Sequence, residues 1–359
     1  MSKIKNFSIF IFSLLISMFL ISCGTASNVT KDSNAQKSAP DWVISGSSEI
    51  YTKAEFLTGV AYSPDKKSAE IAAIEALVSV FGQKVSSVTN ASRRMERAQS
   101  QGIVATSDAS TLDQSILREV NQNDVIAVEV PEFYESKSEG NWYALAVMNR
   151  EKGTKIYSGM IQKNEAEIKS ILNQVNSEKD LNTLLNFSRL DFAEEVAKTN
   201  ELYFKRLSVL NPDEAKKFSS ITTPVQIHKE KSEMAAKIPI CVTVDSDDDG
   251  RIAKTFQEAM SSFGFNTTIG SNERYQILCK NHFTPQKSAD GKTDFCEYTA
   301  ECSLIDTFSG ETLVPMSISG REGSPTYQNA EIRAKQKITT KIKGEFTEAF
   351  QKYLGDFSL

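Results

Sequence analysis

Histidine is nearly missing from these 359 residues: there are two, His228 and His282. Neither belongs to an H-E-x-x-H or similar spaced group, so histidine-based acid, base or metal chemistry has almost no material. A G-x-S-x-G elbow, a P-loop and a dinucleotide fingerprint are also absent, and the glycines of "SSFGFNTTIG" lack the spacing of a phosphate nest. No general acid, nucleophile and orienting partner can be assembled, so the expectation is a protein that is not an enzyme. A positive excess is lacking too: 41 Lys and Arg face 46 Asp and Glu. That balance excludes a nucleic-acid partner, which needs a clustered basic footprint. No repeat recurs at a fixed period, which excludes a solenoid.

Long hydrophobic runs are absent after the first two dozen residues. The one run, "FSIFIFSLLISMFLI" over residues 7 to 21, follows Lys3 and Lys5. As a helix it reaches only about 22 Å, short of the roughly 30 Å hydrocarbon layer, which reads as an export signal. Leu20-Ile21-Ser22-Cys23 resembles the lipobox of bacterial lipoproteins. The resemblance implies cleavage before Cys23, a diacylglycerol on its sulfur and an acyl chain on its new amine. Two or more chains anchor stably where one holds only weakly. Gly24 and Thr25 are not acidic, which resembles the default for sorting to the outer membrane, facing the periplasm with surface exposure as a further option. Residues 23–39, small and polar, read as a lipidated tether with a reach of about 22 Å.

Cysteine is scarce as well. Beyond Cys23 there are Cys241, Cys279, Cys296 and Cys302, all in the last third. No C-x-x-C pair exists and His282 is the sole nearby histidine, which disfavours zinc. In an oxidising compartment, one or two disulfides compete with buried thiols; four cysteines allow three complete pairings, and the sequence leaves the pairing open.

The remaining chain, with 40% hydrophobic residues, supports several cores. Residues 40–160 read as strand, helix or helices, strand, strand, helix. "EFLTGVAY" alternates, with Gly59 marking a close approach or a bulge. A helix is expected from Ser68, with Ser68 as its cap and alanines along its contact face. That helix is expected to run through Val85, and the more polar residues 89–124 read as a second helix or helical excursion with a loop near Gly102. "DVIAVEVPEFYES" and "NWYALAVMNRE" then form a hairpin around Gly140. Pro40-Asp41-Trp42-Val43, "FLTGVAYS", the alanine-spaced helix and "WYALAVMNRE" resemble the LPP20 family of bacterial lipoproteins. The same module is similar to an N-terminal portion of the flagellar T-ring protein FlgT. The resemblance covers about a third of the chain and implies an envelope protein with a surface or scaffold role. It carries over no catalytic residue.

Residues 161–235 keep helical spacing, with a turn near Asn176-Ser177, and read as a connector; no heptad runs long enough for a coiled-coil arm. Residues 236–359 read β-α-β-β-β-α. The fold class expected is therefore α+β, with two small two-layer sandwiches built on antiparallel sheets and joined by a helical segment.

The most chemical-looking stretch is "DSDDDGRI". Asp245, Asp247 and Asp249 match the first three liganding positions of a calcium loop, followed by Gly250, but its closing glutamate position holds Phe256. Weak Ca²⁺ binding is one reading; the other has the aspartates turning a solvent-facing corner beside the next helix's N-terminus. His228 and His282 are expected in exposed loops, Asp306 at a turn, and Arg321-Glu322 at a strand rim. The function expected is a structural or interaction component anchored to membrane lipid, in an envelope or flagellum-associated assembly. Its partners would be other envelope proteins or further copies of itself. The alternative is a periplasmic small-ligand-binding or sensory lipoprotein with a pocket between its domains.

Overall fold

The computed structural model describes residues 39–81, 127–270, 272–289 and 291–357. The signal, the lipobox with Cys23, the tether through residue 38 and the helical excursion expected over 89–124 lie outside the described residues. Pro40–Leu359 is one compact unit.

The first sheet has the order β1-β3-β2 and is antiparallel throughout. It comprises β1 (Phe56–Ser63), β2 (Glu129–Ser136) and β3 (Asn141–Asn149), preceded by the short α1 (Asp41–Ser45), with α2 (Lys66–Ser79) following β1. The cap of α2 is Asp65, not Ser68: the Asp65 side chain accepts from the Ser68 N–H at 2.9 Å. Three residues separate an N-cap from the N–H it satisfies, so Ser68 holds the donor's position. Alternation along β3 sorts the side chains. Ala144, Ala146 and Met148 face Ala69, Ala73 and Leu77 of α2, while Leu145 and Val147 lie under Trp42. Gly59 answers the question of bulge or close approach. A Cβ there would stand 2.4 Å from the Leu77 nitrogen and 2.7 Å from the Ala73 oxygen, so β1 lies directly against the helix backbone.

The helical segment begins without a break after β3. Asn149 caps α3 (Arg150–Ser177) by accepting from the Lys152 N–H. The helix starts earlier than the strand-like reading of "WYALAVMNRE" implies, because that cap ends the strand. After the expected turn, α4 (Leu184–Leu210) runs back along α3, followed by α5 (Pro212–Lys216) and α6 (Pro224–Ala235). One helix, α4, contributes to three cores: Leu184 and Phe187 join the C-terminal core, Leu190 to Ala197 the α3–α4 core, and Tyr203 to Leu210 the core between the first sheet and α2.

The second sheet has the order β5-β4-β6-β7-β8, from β4 (Ile240–Asp245), β5 (Thr267–Thr268), β6 (Tyr275–Lys287), β7 (Asp294–Asp306) and β8 (Glu311–Ser324). Here β6, β7 and β8 are antiparallel, whereas β4 is parallel to β5 and β6. The difference from an all-antiparallel expectation has a plain cause: α7 (Arg251–Ser262) is a crossover helix, and such a connection returns the chain in the same direction. One face of the sheet is covered by α7 and by α8 (Tyr327–Lys341), which runs through a π-helical turn (Ile342–Phe346) into α9 (Thr347–Phe357). The other face carries Lys280, Glu301 and Ser317 side by side across β6, β7 and β8. The α+β class with two sheet layers linked by helices is thus the architecture of the chain.

Candidate interaction surface

The outward face of the first sheet has two zones. Its middle is plugged by Trp42, 2% exposed, whose Nε1–H donates to Glu132 at 2.6 Å. This is the structural role of the "PDWV" stretch, which Gly46 ends in the left-handed conformation at φ 70°. Beyond the plug, Tyr62, Tyr143 and Tyr134 stand directly opposite one another on β1, β3 and β2. Their ring centroids are 5.3 and 6.2 Å apart. Tyr62 is 61% exposed. The Tyr143 hydroxyl donates to Glu139 at 2.7 Å, and that bond, aided by burial, raises the phenol's pKa. Strands β1 and β2 are edges of this sheet among the described residues. The three tyrosines were not singled out by sequence reasoning. Each lies in an alternating strand, but only the register places them in one row.

A second feature is a cleft of about 560 Å³ between the α3–α4 connection and the second sheet, lined by Asp180, Arg274, Asp306, Glu311 and Tyr353 among others. Arg274 spans it. Its Nε and Nη2 donate to Asp306 at 2.8 to 3.1 Å, and its Nη1 to Asp180 at 2.9 Å. Burial opposes charge on Asp306, but hydrogen bonds from Arg274 and the Phe308 N–H outweigh it and hold its carboxyl below the usual range. With its cation committed to two internal carboxylates, the cleft works as a joint between helices and sheet. Asp306 ends β7 here, and the chain then turns as expected.

The aspartate corner also resolves. Asp247 accepts from the Ala253 N–H at 2.8 Å and Asp249 from the Arg251 N–H at 3.2 Å, both at the start of α7, while Asp245 ends β4 and its main-chain oxygen accepts from Asn281. Among the described residues no three His, Cys, Asp or Glu side chains are grouped to hold a metal ion. His228 and His282 depart from the loop expectation. His228 lies on α6 with Nδ1 3.3 Å from Glu194, and His282 is within β6. Arg321 lies over the Phe295 ring at 3.8 Å. Cys279 and Cys302 oppose each other on β6 and β7 and are joined as a disulfide, while Cys241 and Cys296 are buried thiols.

No protein-family model matches the chain, and no curated protein matches it. Among solved structures it is similar to a secreted protein from Helicobacter pylori, at 15% identity and TM-score 0.41 over 80% of this chain and 96% of that one. A minor lipoprotein from Acinetobacter baumannii matches at 11% identity and TM-score 0.21, over 33% of this chain and 93% of its own. Lipoprotein B from Nitrosomonas europaea matches at 13% identity and TM-score 0.21, over 33% and 81%. These are weak, partly covering likenesses to secreted-protein and lipoprotein folds. No helix among the described residues is long and apolar enough to cross a membrane.

Proposed function

We propose that this chain is a lipid-anchored envelope protein that works by docking other proteins, or copies of itself, on the outward face of its first sheet. The reading places it on the outer membrane facing the periplasm, held by acyl chains on Cys23. The observation that carries it is the row Tyr62, Tyr143, Tyr134 between two sheet edges. Tyrosine suits such a role because it presents a large apolar face with little side-chain entropy to lose. Edge strands beside the row add unpaired backbone groups for a partner strand. The chain presents no constellation for catalysis among its described residues. The test is a photo-crosslinking amino acid at Tyr62 in intact cells, with Ser317 on the polar face of the second sheet as the control. A discrete adduct at Tyr62, identified by mass spectrometry as an envelope protein or a second copy and missing at Ser317, supports the reading. The same pattern at both positions, or none at Tyr62, overturns it.

A further inference from the structure

Helix α8 concentrates one sign of charge. Ala330, Ala334 and Ile338 turn its inner side to the second sheet, while Arg333, Lys337 and Lys341 recur every fourth residue and are all exposed. That spacing sets the three cations in one stripe along the outer side. Like charges so placed weaken a helix. The helix offers them no acid, because its single carboxylate, Glu331, is taken by the buried Lys335 at 3.0 Å. Arg333 donates to the Gly323 carbonyl, and Lys341 meets Glu345 beyond the helix end. Among the described residues nothing holds Lys337.

The first sheet carries the opposite sign. Over residues 129–140, Glu129, Glu132, Glu135 and Glu139 stand against Lys137 alone. Glu132 and Glu139 border the tyrosine row, where they accept from the Trp42 Nε1–H and the Tyr143 hydroxyl. Both donors are neutral, so neither carboxylate is offset by them. The ring faces add their own negative density, which attracts ammonium and guanidinium groups. The spacings agree as well. Ring centroids in the row are 5.3 and 6.2 Å apart, and side chains four residues apart on a helix are about 5–6 Å apart. A helix laid across the three strands sets one cation against each ring.

We infer that the occupant of the tyrosine row is helix α8 of a second copy of this chain. Arg333, Lys337 and Lys341 lie along Tyr62, Tyr143 and Tyr134, with the Glu132 and Glu139 carboxylates beside them. The inference rests on the docking reading and names its partner. The two surfaces belong to different parts of the chain, so the contact is head-to-tail. Copies joined in that way form a ring or an open chain, not a two-fold dimer.

Sedimentation of the full mature chain in detergent, at several protein and sodium chloride concentrations, tests this. The wild type should form assemblies of several chains that shrink as salt rises. Arg333→Glu combined with Lys337→Glu reverses the stripe, and Tyr62→Ala combined with Glu139→Lys disrupts the row. All four positions are exposed, so both variants should fold, which an unchanged thermal midpoint checks. Each variant alone should stay monomeric. Mixed in equal amounts they should form pairs and nothing larger, because each keeps the surface that the other has lost. A monomeric wild type, variants that assemble as the wild type does, or a mixture that stays monomeric overturns the inference. The crosslinker at Tyr62 judges the docking reading separately. An adduct there with a different envelope protein, beside a monomeric wild type, overturns this inference and leaves docking in place, whereas no adduct overturns docking itself.

Discussion

Gly59 is where a single hydrogen atom sets the spacing of two elements. Its missing Cβ leaves room for the Ala73 and Leu77 backbone, and neither atom belongs to a side chain that can swing away. Gly59→Ala should therefore force β1 and α2 apart and lower stability by about 1–3 kcal/mol, the usual range for overpacking. Urea unfolding monitored by tryptophan fluorescence measures it, and an unchanged midpoint would show that the helix can shift. Cys279 and Cys302 make a second claim at this scale. Peptide mapping of the unreduced protein should give one cross-linked peptide joining them, and Cys241 and Cys296 should react with an alkylating agent only after unfolding. Closing a loop with a sequence separation of 23 is worth about 3 kcal/mol in the chain-entropy picture, so reduction should lower the midpoint.

Between elements, the seam joining α4 to α6 is electrostatic at its centre. Glu194, buried on α4, meets Lys198 and Lys231 at 2.6 Å each, and Lys231 also reaches Asp191 at 2.9 Å. Burial opposes the charge on Glu194, but the hydrogen bonds from the two lysines outweigh it and hold its pKa at about 2. A carboxyl whose pKa is lower folded than unfolded adds stability that is complete above its unfolded value. That stability drains as pH falls through the folded value. The contribution should hold above about pH 4.5 and decline toward pH 2. Glu194→Gln should flatten the plot of urea midpoint against pH across that window while lowering the midpoint at neutral pH, where Lys231 loses a partner. Parallel plots for the two proteins would refute the assignment. The same logic explains why α6, mostly exposed on its other side, stays docked: Ile227 enters the α3–α4 core while the ion cluster fixes its register.

At the scale of the whole molecule, the proposed function requires an anchor at a bilayer. In that reading attachment rests on Cys23 and its acyl chains. Cys23→Ser should leave an uncleaved precursor or release the body from membranes, as fractionation and intact mass would show; normal processing with tight attachment would exclude the anchor. One helix, α4, ties the first sheet's core to the C-terminal core. That helix packs against the first sheet's core at one end, and at the other its Ser188 hydroxyl donates to the Leu354 carbonyl.

Much of the element order was legible beforehand because periodicity is a local property. The strand patterns located every strand of both sheets except the two-residue β5, the alanine spacing located α2, and the two long helices showed in their apolar spacing. What required the tertiary structure were pairings across distance. Tyr62 and Tyr134 become neighbours of Tyr143 only through strand register. β4 became parallel because α7 carries the chain across the sheet, and Cys279 found Cys302 because β6 and β7 align in one frame. Local pattern decides which face a side chain takes; the closure of the chain decides whom it meets there.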